Sequence, residues 1–242
     1  MRILVFSDIH ANLTALEAVL ENAGRVDAAW CLGDLVGYGP DPNECIERLQ
    51  DLPNLECILG NHDAATLKQI DSAMFNPEAR NAIHWTQNTL NAENLKFLSI
   101  LPQKMIYNDI TLVHGSPRQP VWEYLLDVYN ATKSFEYLET PYCIVGHTHI
   151  PVLYHLADNR NSAKLYIPKP DKGLSLQPRM ILNPGSVGQP RDRDPRAAYA
   201  ILDDQDRSWE LYRVEYDIQS VQKRMEAARL SPKHIQRLSA GW

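Results

Sequence analysis

The 242-residue sequence has no long apolar run, and none of its runs approaches the roughly 18 residues of a membrane-spanning helix. The apolar stretch from Met1 to Phe6 is interrupted by Asp8 and His10 before the hydrophobic region of a signal peptide would be complete. These two absences predict a cytoplasmic protein that makes no use of a membrane.

Cysteine and positive charge are also scarce. The four cysteines lie far apart with no C-x-x-C pair, which argues against a disulfide framework or a zinc knuckle and favours reduced, buried thiols. Lys and Arg number 24 against 30 Asp and Glu, and the net charge of −6 makes the surface as a whole repel nucleic acid. Stable nucleic-acid binding is therefore not expected. The sequence lacks repeats, low-complexity segments and linkers, so we predict one domain over residues 1–242.

Three apolar runs near the N-terminus each end in a polar cluster. The runs are residues 2–7, 28–32 and 55–59, and helical signals follow the first two. Thr14 to Glu17 matches a capping box for the first helix, and Asp41-Pro42 starts the second. Because the carboxyl ends of parallel strands meet at one sheet edge, the polar clusters are expected to form a site there.

The rest of the chain mixes helical and strand signals. Residues 76–101 are predicted to be helical, residues 105–113 form a hairpin that ends at His114, and residues 117–140 are partly helical. A strand over 141–145 leads into Gly146-His147-Thr148-His149. The short β-like pieces that follow predict a second, largely antiparallel sheet, and amphipathic helices are expected around Val221 and after Ser231.

The polar clusters are chemically coherent. A single Asp-x-His, or a histidine at one strand end, is common without function, but here five apolar strands end in Asp, Asn or His. Carboxylates, imidazoles and an amide oxygen without a thiolate suit Mn²⁺, Fe²⁺ or Zn²⁺. Two such ions about 3.5 to 4 Å apart, sharing a carboxylate, can hold the attacking and leaving oxygens of a phosphoryl displacement.

The clusters, in order, resemble the five blocks of the calcineurin-like metallophosphoesterase superfamily over about residues 4–150. The blocks are Asp8-x-His10, Gly33-Asp34, Gly60-Asn61-His62-Asp63, His114 and Gly146-His147-x-His149. The resemblance implies an α/β fold, a four-layer αββα sandwich of two mixed sheets flanked by helices. It also implies two divalent ions, drawn from Mn, Fe, Ni and Zn.

The resemblance assigns a role to each matching position. Asp8, His10 and His149 would hold one metal; Asn61, His114 and His147 would hold the other; and Asp34 would bridge both. His62 resembles the non-ligand histidine that stabilises the transition state or protonates the leaving oxygen. Asp34 and His62 are therefore the predicted catalytic residues.

The sequence departs from two branches of the superfamily. Protein phosphatases and diadenosine tetraphosphate hydrolases usually continue the second block as Asp-x-x-Asp-Arg-Gly and the third as Asn-His-Glu. Here the second block continues Leu35-Val-Gly-Tyr-Gly39, without that arginine, and Asp63 replaces the glutamate. The chain is more similar to the compact bacterial and archaeal phosphodiesterases.

Three further residues are candidate substrate contacts, each with a structural alternative. Arg191 follows an Asn-Pro-Gly-Ser loop that resembles one in the compact branch, and its planar guanidinium suits phosphate oxygens. Alternatively, the arginines of this loop pair with Asp192 and Asp194. Tyr38 lines the pocket or packs its loop, and Asn12 contacts phosphate or caps a helix.

Other aromatic and histidine side chains have weaker predictions. A nucleobase pocket and ordinary packing are both open for a set of four aromatic residues: Trp85, Trp122, Tyr124 and Tyr129. Three histidines outside the blocks are predicted to be surface or core-edge groups: His84, His155 and His234.

The leading prediction is a metal-dependent phosphoesterase that cleaves phosphodiesters, with phosphomonoesters as a second class, by in-line attack of a metal-bridging hydroxide. The expected partner is a small phosphorylated molecule, nucleotides included. Two alternatives remain open: a binding scaffold that keeps the fold without catalysis, and a protein or dinucleoside polyphosphate phosphatase, which the missing arginine disfavours. A homodimer is compatible with the sequence, which does not determine the oligomeric state.

Overall fold

The computed structural model describes residues 1–242 and contains twelve strands and eight α-helices. The strands are β1 Arg2–Phe6, β2 Ala28–Cys31, β3 Leu55–Cys57, β4 Lys104–Tyr107, β5 Ile110–Val113, β6 Tyr142–Ile144, β7 Val152–His155, β8 Lys164–Tyr166, β9 Leu174–Ser175, β10 Met180–Asn183, β11 Ala197–Asp203 and β12 Ser208–Val214. The helices are α1 Leu13–Ala23, α2 Pro42–Gln50, α3 Asn61–Thr66, α4 Pro77–Thr89, α5 Ala92–Ser99, α6 Val128–Ser134, α7 Ile218–Ala227 and α8 Pro232–Ala240. Two 3₁₀ turns cover Ser72–Met74 and Phe135–Tyr137.

The strands form two six-stranded mixed sheets. The first has the order β3-β2-β1-β11-β12-β9, in which β1, β2 and β3 are parallel and β11 is antiparallel to β1. The second has the order β4-β5-β6-β10-β7-β8, in which β5, β6 and β10 are parallel. The predicted α/β architecture of two mixed sheets with flanking helices is confirmed.

The apolar runs lack alternation because both faces of the central strands are buried. In β1, Ile3 and Val5 belong to a core cluster with residues of the second sheet, whereas Leu4 and Phe6 pack with α1 and α2 on the opposite face. A strand covered on both sides needs apolar residues at every position. This packing keeps the strands rigid at the edge where their polar loops begin.

The prediction of a separate antiparallel sheet in the second half of the chain is wrong. The later strands are divided between the two sheets: β7, β8 and β10 extend the second, and β9, β11 and β12 extend the first. The reason is long-range pairing, since β11 pairs with β1 and β10 pairs with β6. Such pairing leaves no local signal in the sequence.

Several local predictions can be compared directly with the structure. The capping box at Thr14 is wrong, because Asn12 caps α1 by accepting a hydrogen bond from the Ala15 N–H at 3.1 Å. Thr14 instead accepts a hydrogen bond from Arg224 of α7 at 2.8 Å. The four cysteines are free and buried, as predicted. None of the helices is long and apolar enough to cross a membrane.

Candidate metal centre

Five loops at the carboxyl ends of strands bring the predicted ligands together. The loop after β1 carries Asp8 and His10, the loop after β2 carries Asp34, and Asn61 begins α3 just after β3. The loops after β5 and β6 carry the remaining candidates, His114, His147 and His149. All seven side chains lie in residues that are at most 2% exposed. The site is therefore a buried cluster of polar groups at one edge of both sheets.

The backbone at these positions is strained. Five of the seven candidates have a positive φ, a conformation that costs energy for residues other than glycine. The five angles are 55° at Asp8, 48° at His10, 54° at Asp34, 66° at His147 and 60° at His149. The rigid sheets hold these loops in conformations that direct the side chains towards one another.

The first group of donor atoms surrounds Asp8. The Nε2 atoms of His10 and His149 are 3.1 Å apart, and His149 Nε2 is 3.3 Å from Asp8 Oδ1. Asp34 Oδ2 lies 3.6 Å from His10 Nε2. One donor atom from each of these four residues lies within 4.8 Å of the others, as ligands of a single cation would.

The second group surrounds His114. Its Nε2 lies 3.4 Å from Asp34 Oδ2, 3.2 Å from His147 Nδ1 and 3.0 Å from Asn61 Oδ1. Asp34 Oδ2 is therefore close to donors of both groups. No other residue belongs to both clusters of candidate ligands.

Each histidine is oriented by a backbone carbonyl on its outer side. The ring nitrogen that faces away from the cluster lies 2.6 to 3.1 Å from the carbonyl oxygens of Val36, Leu32, Trp122 and Gln189, for His10, His114, His147 and His149 respectively. A carbonyl can only accept a hydrogen bond, so the outer nitrogen carries the proton in the neutral ring. The inner nitrogen then presents its lone pair to the cluster, which is the usual second layer of a metal site.

The carboxylates show the same asymmetry. Asp8 Oδ2 accepts a hydrogen bond from the His147 N–H at 3.0 Å, and Asp34 Oδ1 accepts one from the His62 N–H at 2.8 Å. The other oxygens, Asp8 Oδ1 and Asp34 Oδ2, are buried without a hydrogen-bond partner. Because buried anionic oxygens are costly without a partner, two orphaned oxygens beside four inward imidazoles fit a divalent-cation site.

The electrostatics agree with metal ligation. Burial lowers the pKa of His10, His147 and His149 well below the ordinary value, so these rings are neutral, as ligands must be. For His114, burial also acts to lower the pKa, but the Asp34 carboxylate outweighs it and raises the value to about 9. A cation beside Asp34 would replace the proton of His114 as its counter-charge.

Asp63 has a structural role that its sequence motif did not reveal. Its buried carboxylate accepts hydrogen bonds from the Val36 N–H at 3.1 Å and the Gly60 N–H at 3.0 Å. These bonds join the loop that carries Asp34 to the start of α3. The Asp63 substitution, noted only as a departure from Asn-His-Glu, thus supplies the brace between two ligand loops.

The three candidate substrate contacts differ in their surroundings. The Asn12 amide is fully engaged, since it caps α1 and donates to the Gly188 carbonyl at 3.1 Å. Tyr38 is buried, and its ring centroid lies 4.6 Å from that of His10 and 4.4 Å from that of His62. Arg191 is half-buried, with its guanidinium 5.9 Å from the Tyr38 ring centroid.

Arg191 differs from the other arginines of its loop. Arg196 pairs with Asp194 at 2.7 Å, whereas Asp192 pairs with Arg213 of β12 and not with an arginine of the loop. Arg191 donates from Nη2 to Gln189 Oε1 at 2.9 Å, and its buried Nε has no partner. It makes no ion pair and retains unused donors next to the candidate ligands.

Sequence reasoning missed several groups around the cluster. The prediction of a surface or core-edge position is wrong for His234, which is 2% exposed and has its ring centroid 4.4 Å from that of Tyr38. His84 is exposed and His155 is half-buried. The Tyr124 ring stacks on His147 with a centroid distance of 3.7 Å. These contacts join loops that are distant in sequence, so no spacing rule could have found them.

Residues 1–207 match the family model described as the calcineurin-like phosphoesterase superfamily domain. The chain belongs to this superfamily. Its members are divalent-metal-dependent, and the protein is a phosphoester hydrolase. The resemblance of the five sequence blocks is thereby confirmed.

Relatives of the metallophosphoesterase cover its whole length. The crystal structure of a metallophosphoesterase from Sphaerobacter thermophilus is 46% identical with a TM-score of 0.91, covering 100% of this chain and 99% of that one. An uncharacterized protein of Methanocaldococcus jannaschii is 39% identical over 99% of this chain and 98% of its own length. A symmetrical bis(5'-nucleosyl)-tetraphosphatase of Baumannia cicadellinicola is 30% identical over only 37% of each chain.

Proposed function

We propose that the protein is a dinuclear metal-dependent phosphodiesterase. The observation that carries the proposal is the position of Asp34 Oδ2, a buried oxygen without a hydrogen-bond partner that lies 3.6 Å from His10 Nε2 and 3.4 Å from His114 Nε2. Asp34 would bridge two cations. Asp8, His10 and His149 would complete one site, and Asn61, His114 and His147 would complete the other.

The bound cations would supply Lewis acidity and lower the pKa of water, so that a nucleophile for attack on phosphorus exists at neutral pH. The protein residues orient the substrate and handle the leaving group. Arg191 donates its unused N–H groups to a non-bridging phosphate oxygen, for which the planar guanidinium is well suited. Its single charge matches the single charge of a phosphodiester.

His62 protonates the departing oxygen in this proposal. Its ring centroid lies 4.9 Å from that of His10, and its buried Nδ1 has no hydrogen-bond partner. Burial lowers the pKa of His62 to about 4, so the ring is neutral before substrate binds. A negatively charged phosphate beside it favours the protonated form, which can then donate its proton to the leaving alkoxide.

A dinucleoside polyphosphatase is the second candidate, favoured by the partial match to the Baumannia enzyme. The loop after Asp34 weighs against it. That loop contains Leu35-Val-Gly-Tyr-Gly39 and offers no arginine for additional phosphate groups. A substrate panel separates the two functions.

The test uses protein stripped with a chelator and reloaded with Mn²⁺, Ni²⁺, Co²⁺ or Zn²⁺. We expect two metal ions per chain by elemental analysis, and faster hydrolysis of bis-p-nitrophenyl phosphate than of p-nitrophenyl phosphate or diadenosine tetraphosphate. Asp34→Asn should lose metal and activity together. His62→Ala should lose activity and keep both metals.

The exposed His84 provides the matched control, since His84→Ala removes an imidazole outside the cluster. An Asp34→Asn variant that still holds two metals and turns over substrate would refute the bridging role. Absence of hydrolysis with every metal in the wild-type protein would favour a binding scaffold.

A further inference from the structure

Tyr124 forms part of the mouth of the metal centre. Its ring lies almost parallel to the His147 ring, with an interplanar angle of 20° and a centroid distance of 3.7 Å. His147 Nδ1 points into the cluster, so Tyr124 covers the outer face of a candidate metal ligand. At the same time Tyr124 is 42% exposed, unlike the ligands beneath it. It presents a flat aromatic surface to solvent directly beside the reaction centre.

Arg191 completes this mouth on the opposite side. Burial raises the pKa of both Tyr38 and Tyr124, and the positive charge of Arg191 opposes that rise at both phenols. The guanidinium therefore lies between the two tyrosines, which come from different loops. An anion held by Arg191 would lie next to the Tyr124 ring.

We propose that Tyr124 is a specificity-determining residue that stacks on a planar aromatic group of the ester, so that the preferred substrates are aromatic or nucleoside phosphoesters. The phosphate would occupy the space between Arg191 and the metal ligands, and the aromatic group would lie on Tyr124. Stacking of a base on an aromatic side chain is tolerant of sequence and needs no hydrogen-bond code. This inference rests on the proposed phosphoesterase site and deepens it by naming the substrate class.

The alternative role for Tyr124 is to hold the His147 ring in place. The two roles make different predictions for ligands that share a phosphate but differ in the attached group. A positioning role would affect all phosphate ligands and metal binding alike. A stacking role would affect only ligands that carry a ring.

The experiment measures binding by calorimetry, so that it does not depend on turnover. Metal-loaded wild-type protein is titrated with methyl phosphate, phenyl phosphate and adenosine 5'-monophosphate. We expect the two ring-bearing ligands to bind about tenfold more tightly than methyl phosphate, as one stacking contact would give. Tyr124→Ala should abolish this difference, with unchanged methyl phosphate affinity and metal content, and Tyr124→Phe should retain it.

Tyr129→Ala serves as the control, because Tyr129 is 70% exposed on α6 and makes no ring contact with the cluster. Equal affinities of the three ligands in the wild-type protein would overturn the inference. So would an equal loss for all three ligands in Tyr124→Ala, which would assign Tyr124 to holding His147. Selective binding without hydrolysis of any ester would refute the proposed function while leaving the stacking role intact.

Discussion

Replacement of Gly60 by alanine should disrupt the metal centre by steric contact alone. The Gly60 backbone has φ −89° and ψ 172°, angles that alanine adopts freely. A Cβ at this position would lie 2.8 Å from Asp34 Cα, and closer still to Asp34 N and Oδ1. Ordinary van der Waals contact begins at 3.4 Å, so the two loops must separate by at least about 0.6 Å.

The movement acts directly on the proposed bridging carboxylate. Asp34 Oδ1 is held by the His62 N–H at 2.8 Å, and separation of the loops stretches this buried bond. Overpacking costs about 1–3 kcal/mol and a hydrogen bond to a charged group contributes about 1.5–3 kcal/mol. We therefore expect Gly60→Ala to lower the free energy of unfolding of the metal-free protein by about 2–5 kcal/mol. Displacement of a ligand on this scale should also reduce activity on the order of 100-fold.

Urea unfolding of the chelated protein, elemental analysis after Mn²⁺ loading and hydrolysis of bis-p-nitrophenyl phosphate measure these effects. Gly173→Ala is the matched control, since nothing lies within 4 Å of its Cβ and its φ is not left-handed. Gly24→Ala adds a second control, because it has a φ of +65° but no neighbour within 4 Å. A Gly60→Ala protein with wild-type metal content, activity and stability would show that the close approach of Gly60 and Asp34 is unimportant.

Two further substitutions test groups that the sequence motifs did not assign. Asp63→Ala leaves the buried N–H groups of Val36 and Gly60 without partners, so we expect urea unfolding to show a loss of about 2–4 kcal/mol and weaker metal binding. His234 is the second case, because burial lowers its folded-state pKa from 6.5 to about 4. The unfolded state then binds more protons between these values, so the stability contribution is complete above pH 6.5 and is lost as the pH falls towards 4. His234→Leu should therefore lose about 2 kcal/mol less than wild type between pH 7 and pH 5, measured by urea unfolding at both values.

Each of these two predictions has a contrary outcome. Unchanged stability of Asp63→Ala would mean that water satisfies the two N–H groups and that Asp63 is no brace. Parallel pH profiles for His234→Leu and wild type would mean that His234 is protonated equally in the folded and unfolded states.

The strand-end motifs predicted the ligand set because they depend on local chemistry. An apolar run that stops at Asp, Asn or His is visible in the sequence, and the carboxyl ends of neighbouring parallel strands must meet. The structure places Asp8, Asp34 and Asn61 at the ends of β1, β2 and β3 as the pattern required. Cap residues were less predictable: Asn12 and Thr14 both carry suitable side chains, and the Arg224 contact occupies Thr14.

The sequence alone determined which chemistry this protein can perform, because the types of ligand and their order along the chain are local properties. Only the tertiary structure decided how the later strands divide between two sheets, since the β1–β11 and β6–β10 pairs join segments far apart in sequence. It also decided the surroundings of the centre. The Asp63 brace, the burial of His234 and the stacking of Tyr124 on His147 arise from loops packed against one another, and spacing along the chain carries no record of that packing.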